Sequence, residues 1–154
     1  MQQLSTRSVD LRGNHHDEIA LSVLAEVVSV YNDGERSKPE VLVAAGTLVL
    51  GREPCKSYAG WGVVALEDHS NVRDQHQRLI VDRISQEHSI LSWEDPVVSW
   101  SGKTPAIPLL VGDAVHILPN HACVTGAMFE QYFVVDSSSA SSRVIGVWKR
   151  ARGW

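Results

Sequence analysis

Between Ile19 and Tyr31 the apolar residues obey two spacings at once. Ile19, Leu21, Val23, Ala25 and Val27 alternate with their neighbours, while Val23, Val27 and Val30 also fit one face of a helix. Five β-branched residues favour the strand, and Asn32-Asp33-Gly34 supplies a turn after it. Shorter apolar runs follow at Val41 to Ala45, Trp61 to Glu67, Gln77 to Ser85, Glu87 to Trp93 and Val97 to Trp100. The polar stretch Asp68 to His76 reads as a loop, and Ser101-Gly102-Lys103-Thr104-Pro105 as a turn. Leu109 to Leu118 is interrupted by Gly112-Asp113; Gln131 to Val135 and Val144 to Arg150 close the series. Many short strands separated by Gly/Pro turns predict a mostly β domain, an antiparallel barrel or sandwich, with at most one or two short helices. The candidate places for a helix are Ala20 to Val30 and the stretch near Met128. No internal repeat is present.

Length and composition agree with this picture. One domain suits 154 residues, enough to bury a core without staples. Hydrophobic residues make up 44% and charged residues 21%, ordinary for a globular protein. The net charge of −4 and a pI near 5.9 argue against nucleic-acid binding, which needs clustered cations. The only basic cluster is Lys149, Arg150 and Arg152, read as a solvated tail. No apolar run reaches the roughly 18 residues of a membrane helix, and the polar start Met1 to Asp10 forms no signal peptide. The expectation is therefore a cytoplasmic chain with its two cysteines, Cys55 and Cys123, reduced. One disulfide would be the most they could form.

The segment richest in chemistry is Leu118-Pro119-Asn120-His121-Ala122-Cys123. If it is extended, residues two apart project to one side, so His121 and Cys123 could face one metal ion. Imidazole nitrogen and thiolate sulfur are good zinc ligands, at roughly 2.0–2.1 and 2.3 Å. A structural zinc normally takes four protein ligands, so two would leave positions open for water or substrate. The alternative is a chance pairing in which the cysteine is a small buried hydrophobe. Adjacent His15 and His16 would face opposite ways in a strand and read as loop residues. His116 is expected to alternate away from His121, and Cys55 to lie in a loop as an inert thiol. Ser57-Tyr58-Ala59-Gly60-Trp61-Gly62 lacks the spacing of a phosphate loop. Of the five tryptophans, Trp61, Trp93, Trp100 and Trp148 fall in or near predicted strands and are expected in the core.

The run Val111-Gly112-Asp113-Ala114-Val115-His116-Ile117-Leu118-Pro119-Asn120-His121-Ala122-Cys123-Val124-Thr125 resembles a signature of the D-serine dehydratase and D-threonine aldolase family. In that family a Gly-Asp turn leads through a strand into a Pro-Asn-His-x-Cys or His-x-Asp metal pair. Ile19 to Ser29, Val43 to Leu50 (like the family's "DAGSKAL"), Ser85 to Ser89 (like "EEHG") and Met128 to Val135 resemble further family segments, in the family's order. The resemblance covers residues 19–136, with 137–142 a flexible serine-rich loop and 143–154 a closing strand and tail.

The resemblance implies a fold-type III, alanine-racemase-like enzyme: a TIM-like barrel carrying pyridoxal phosphate on a lysine, and a β-domain holding a metal beside it. His121 and Cys123 carry over as the metal ligands, with His88 as a supporting residue; the thiolate favours zinc. The implied reaction is D-serine to pyruvate and ammonia, the metal activating the β-hydroxyl. The alternatives are a D-threonine-aldolase-like lyase or a non-catalytic binding domain on the same fold. A standalone metal hydrolase would need a third ligand and a base, neither of which is identifiable. The implied partners are a D-amino acid, a barrel domain or partner chain, and a second copy of this chain. There are departures from the pattern. Ala44, Thr47 and Leu48 replace the Asp and Ser-Lys of "DAGSKAL", while Gln86 and Ser89 alter "EEHG". A TIM barrel runs to roughly 250 residues, so the whole of 1–154 is expected to be the β-domain, without a cofactor-binding barrel. Lys38, Lys56, Lys103 and Lys149 sit in loops or the tail and offer no Schiff-base lysine. Such a chain would be inactive alone and would expose apolar surface where the barrel docks.

Overall fold

Val23, Ala25 and Val27 are buried while Leu24, Glu26 and Val28 are exposed, a period of two that decides between the spacings of the first apolar run in favour of a strand. The computed structural model describes residues 19–66, 78–94, 104–136 and 143–151. Within them the elements are β1 (Val23–Tyr31), β2 (Glu40–Val43), α1 (Thr47–Leu50), β3 (Gly62–Ala65), β4 (Leu79–Ile84), β5 (Ser89–Trp93), β6 (Ala114–Pro119), α2 (Ala122–Ala127), β7 (Gln131–Val135) and β8 (Val144–Lys149). The mostly β expectation holds. Six strands close into a barrel in the order β1-β2-β5-β4-β3-β6, every pairing antiparallel, and β7 and β8 form a separate two-stranded sheet.

β1 is long enough to serve both neighbours. Val23 to Glu26 pair with Ile117 to Ala114 of β6, and Val27 to Tyr31 with Val43 to Glu40 of β2, across a bulge between Val27 and Ser29. The interior is filled by Val27, Val41, Val43, Val81, Leu91 and Ile117, all fully buried. A six-stranded barrel has room only for its own side chains, so polar chemistry is confined to its ends and outer wall. One end is plugged by Ile107, whose backbone N–H and C=O are both held by the Asn32 side chain, at 3.0 and 2.9 Å. The other end carries α1, the β4–β5 turn and α2. Trp93 is buried, its indole N–H donating to Pro105 O at 2.9 Å.

Several expectations need correction. Ala20 to Val30 holds no helix, being strand from Val23 onward, whereas the helix expected near Met128 is present as α2, just before it. The helix α1 was not foreseen; four residues are too few to show a helical period. Leu109 to Leu118 is a strand only from Ala114, because Gly112 adopts φ +91° in a turn closed by Asp113, whose carboxylate accepts from Leu110 N at 2.7 Å. Trp148 is 67% exposed on β8 rather than in the core, since β7 and β8 form a two-stranded sheet separate from the barrel. Cys55 and Cys123 are both free thiols. His15, His16, the loop Asp68 to His76, the strand Val97 to Trp100, Lys103, Arg152 and the serine run 137–142 lie outside the described residues. No helix among the described residues is long and apolar enough to cross a membrane.

Candidate metal centre

The site is assembled where β6 ends. Pro119 still pairs with Gly62 of β3, and the next residue, Asn120, turns its amide into the protein, where it is 1% exposed. Its Nδ2 donates to Gly60 O at 2.8 Å and to Glu53 O at 2.9 Å, and its Oδ1 accepts from the Tyr58 hydroxyl. A single buried amide thus ties the end of β6 to three points of the loop between α1 and β3. Burial of that amide is tolerable only because these groups satisfy it.

Tyr58 is held in turn. Its ring packs with Val63 and Ile80 on the outer wall of the barrel, and the Arg78 guanidinium lies over it, 4.9 Å from the ring centroid. Arg78 forms a two-pronged pair with Glu94, at 2.6 and 2.8 Å. Its pKa is raised above the ordinary arginine value, chiefly by the hydrogen bond to Glu94; burial works against the rise, and the charges of Glu94, Tyr58 and Cys55 add to it. Arg78, Tyr58 and Asn120 therefore form a rigid polar bracket behind the end of β6.

His121 and Cys123 follow directly. The extended geometry expected of them is only half right. His121 is extended, at φ −141° and ψ 95°, but it is the N-cap of α2, and Cys123 lies in the first turn of that helix. Strand alternation therefore does not relate the two side chains, which straddle the strand-to-helix transition. His121 is partly buried, with its Nδ1 3.8 Å from Glu53 Oε2, and Cys123 is exposed. The helix is anchored from both sides. Thr125 Oγ1 donates to Leu50 O at the end of α1, at 2.8 Å, and Tyr132 Oη donates to Gly126 O at 2.8 Å.

Close approach of the two helices depends on Gly51. It has φ +76° and ψ −173°, a region open almost only to glycine, and a Cβ there would stand 2.6 Å from Val124 Cγ1. The remaining sequence candidates sit apart. His88 is exposed in the β4–β5 turn, at the same end of the barrel, its backbone O accepting from Ser85 N. His116 faces outward from β6 and bonds Ser22 Oγ through Nδ1 at 3.0 Å. Cys55 bonds Ser57 Oγ at 3.0 Å in the loop before β3. Among the described residues no three His, Cys, Asp or Glu side chains converge as one metal-binding group. An imidazole and an accessible thiol are nevertheless donors that suit a borderline-soft divalent cation.

Glu53, Tyr58, Arg78 and Glu94 were not singled out as site residues from the sequence. Nothing local to them signals the role: Glu53 precedes His121 by 68 positions, and only the closed barrel brings them together.

Residues 20–135 match the family model for the serine dehydratase domain. The chain belongs to the serine dehydratase domain family. It is 35% identical, over its whole length, to the D-serine dehydratase of Saccharomyces cerevisiae, of which it spans 32%. It is 28% identical to an uncharacterised Mycobacterium tuberculosis protein, the match covering 88% of this chain and 86% of that protein. The fold matches the solved D-threo-3-hydroxyaspartate dehydratase from Delftia sp. HT23 with a TM-score of 0.63, 28% identity, 96% of this chain and 35% of that one. Two mutants of a D-threo-3-hydroxyaspartate dehydratase match similarly. One is a cysteine-to-alanine mutant described as the metal-free form, with a TM-score of 0.60, 28% identity, 88% of this chain and 33% of that one. In the other, a histidine two positions earlier is replaced by alanine; it gives 0.62, 29%, 90% and 33%. The chain thus spans about a third of the length of the dehydratases it matches.

Proposed function

We propose that this domain supplies the metal half of a D-serine-dehydratase-like active site, with His121 and Cys123 as the protein ligands. The observation that carries the reading is their spacing at the start of α2. It is the spacing of the histidine and cysteine replaced in the two D-threo-3-hydroxyaspartate dehydratase mutants, the cysteine mutant being described as metal-free. The residues here fit that role: the ring and the thiol sit at the rim of a filled barrel, where substrate and a second domain can reach them.

A divalent cation held there, zinc by the softness of the thiolate, would polarise a substrate β-hydroxyl and so make it a better leaving group. Pyridoxal phosphate, on a barrel domain that these 154 residues do not contain, would supply the electron sink for loss of the α-proton. This chain's own residues do the positioning. Asn120 fixes where β6 ends, Thr125 docks α2 on α1, and Tyr58, stacked under Arg78, holds the Asn120 amide in place. The substrate class is a D-amino acid with a β-hydroxyl, and the partner is the barrel, in cis or as another chain.

A second reading has one observation in its favour. The Mycobacterium tuberculosis relative is mostly this domain, so the fold occurs in a protein with little room for a barrel. A binding domain that retains the metal but performs no chemistry is the corresponding alternative, as is a D-threonine-aldolase-like partner reaction.

Zinc content after dialysis tests the site. The chain is expected to retain about one equivalent, and His121→Ala with Cys123→Ala to retain none; unchanged zinc in the double variant contradicts the assignment. Reconstitution with a family barrel domain then separates lyase from binding module, since only the former yields ammonia from D-serine.

A further inference from the structure

We propose that Glu53 orients His121 toward the metal, holding the Nδ1 edge of the ring so that Nε2 faces the ion. The inference rests on the reading of His121 and Cys123 as the metal pair.

Three observations carry it. First, the Glu53 carboxylate is already at the ring: Oε2 lies 3.8 Å from Nδ1, within ion-pair range though longer than a hydrogen bond. Second, the two ring nitrogens differ in access. Nδ1 is buried, yet the His121 side chain keeps 20% of its surface. That surface lies on the side chain away from Nδ1, so Nδ1 is not the nitrogen a cation arriving from solvent meets. Third, the placement of Glu53 is not accidental. Its backbone O accepts from Asn120, the residue immediately before His121, at 2.9 Å, so one buried amide fixes both ends of the Glu53–His121 pair.

The chemistry then follows. A neutral imidazole that binds a metal through Nε2 carries its proton on Nδ1, and an acceptor at Nδ1 fixes both tautomer and ring orientation while raising ligand basicity. A carboxylate is the strongest such acceptor in reach. Glu53 is a positioning residue and not a third ligand, because His121, Cys123 and Glu53 do not converge as a three-donor group. Its side chain is 44% exposed, so replacing it leaves the buried bracket, which uses only its backbone, intact.

The test is zinc affinity of the full chain, measured by competition with a chromophoric chelator. Glu53→Ala is expected to weaken binding by roughly 10- to 100-fold. Glu53→Gln, whose amide oxygen still accepts from Nδ1–H, should fall between Glu53→Ala and the wild type. In the cobalt-loaded chain the ligand-field bands of both variants should match the wild type, since the number and kind of ligands are unchanged. Nitrogen NMR of the zinc-loaded chain should show His121 protonated at Nδ1 and bound through Nε2. Unchanged affinity in Glu53→Ala, ligand-field bands that shift to another coordination number, or metal on Nδ1 each overturns the proposal. The two readings fail separately. A wild-type chain that binds no zinc overturns the metal pair and this inference together. Binding abolished by His121→Ala but indifferent to Glu53→Ala overturns the orienting role alone.

Discussion

At the scale of single residues, the candidate site depends on one amide more than on its ligands. Asn120 was legible in the sequence as part of Pro-Asn-His-x-Cys, but only the fold shows its function, because its partners Glu53, Tyr58 and Gly60 lie 60 or more positions upstream. Asn120→Ala leaves three buried or half-buried groups without the hydrogen bonds they now make, and should destabilise the chain by roughly 3 kcal/mol in urea titration. Asn120→Asp should do no better: it keeps an acceptor for Tyr58 but turns the two donors into a carboxylate facing two carbonyl oxygens. A loss below about 1 kcal/mol for both variants would mean that the bracket is not a structural keystone. The proposed ligands, His121 and Cys123, were legible as residue types and as a spacing. The strand alternation expected to put them on one side does not hold, since Cys123 is helical.

At the scale of elements, the barrel strands were readable because half-buried strands alternate and turn residues punctuate them. The early strand is the clearest case: its helical spacing at Val23, Val27 and Val30 was a coincidence, overruled by β-branching. The two short helices were hidden for the opposite reason. α1 is too brief to show a period, and its position is set by contacts with α2 and with Ser85 and Gln86 of the β4–β5 turn. That contact yields a prediction. Gly51→Ala meets both the backbone restriction at φ +76° and the Val124 side chain at 2.6 Å, and should destabilise by about 2–4 kcal/mol in thermal unfolding. Adding Val124→Ala should recover the steric part only. Full recovery would show that the backbone at Gly51 carries no restriction.

At the scale of the whole molecule, family membership and barrel were both foreseen, and the domain matches about a third of the dehydratases it resembles. What composition could not show is which apolar residues remain outside the core. β7 and β8 expose Phe133, Ile145, Val147 and Trp148, with Phe133 paired to Val147 and Tyr132 to Trp148 across the strands. Trp148 was misjudged because a strand tryptophan is usually buried, whereas this strand lies outside the barrel. Trp148→Ser should therefore change the stability of the isolated chain by less than about 1 kcal/mol, the worth of a cross-strand pair. A larger loss in denaturant unfolding would place that indole in a packed environment. Pyridoxal phosphate added to the isolated chain should give no stoichiometric aldimine absorbance; a lysine-dependent band would put a cofactor site within these residues.

The central claim, that His121 and Cys123 bind one metal, is tested most directly by titrating the chain with cobalt(II) and following the thiolate-to-cobalt charge-transfer absorbance in the near ultraviolet. A band is expected that saturates at one equivalent, disappears in Cys123→Ser and does not form at comparable concentrations in His121→Ala. The same band in both variants, or none in the wild type, would contradict the claim.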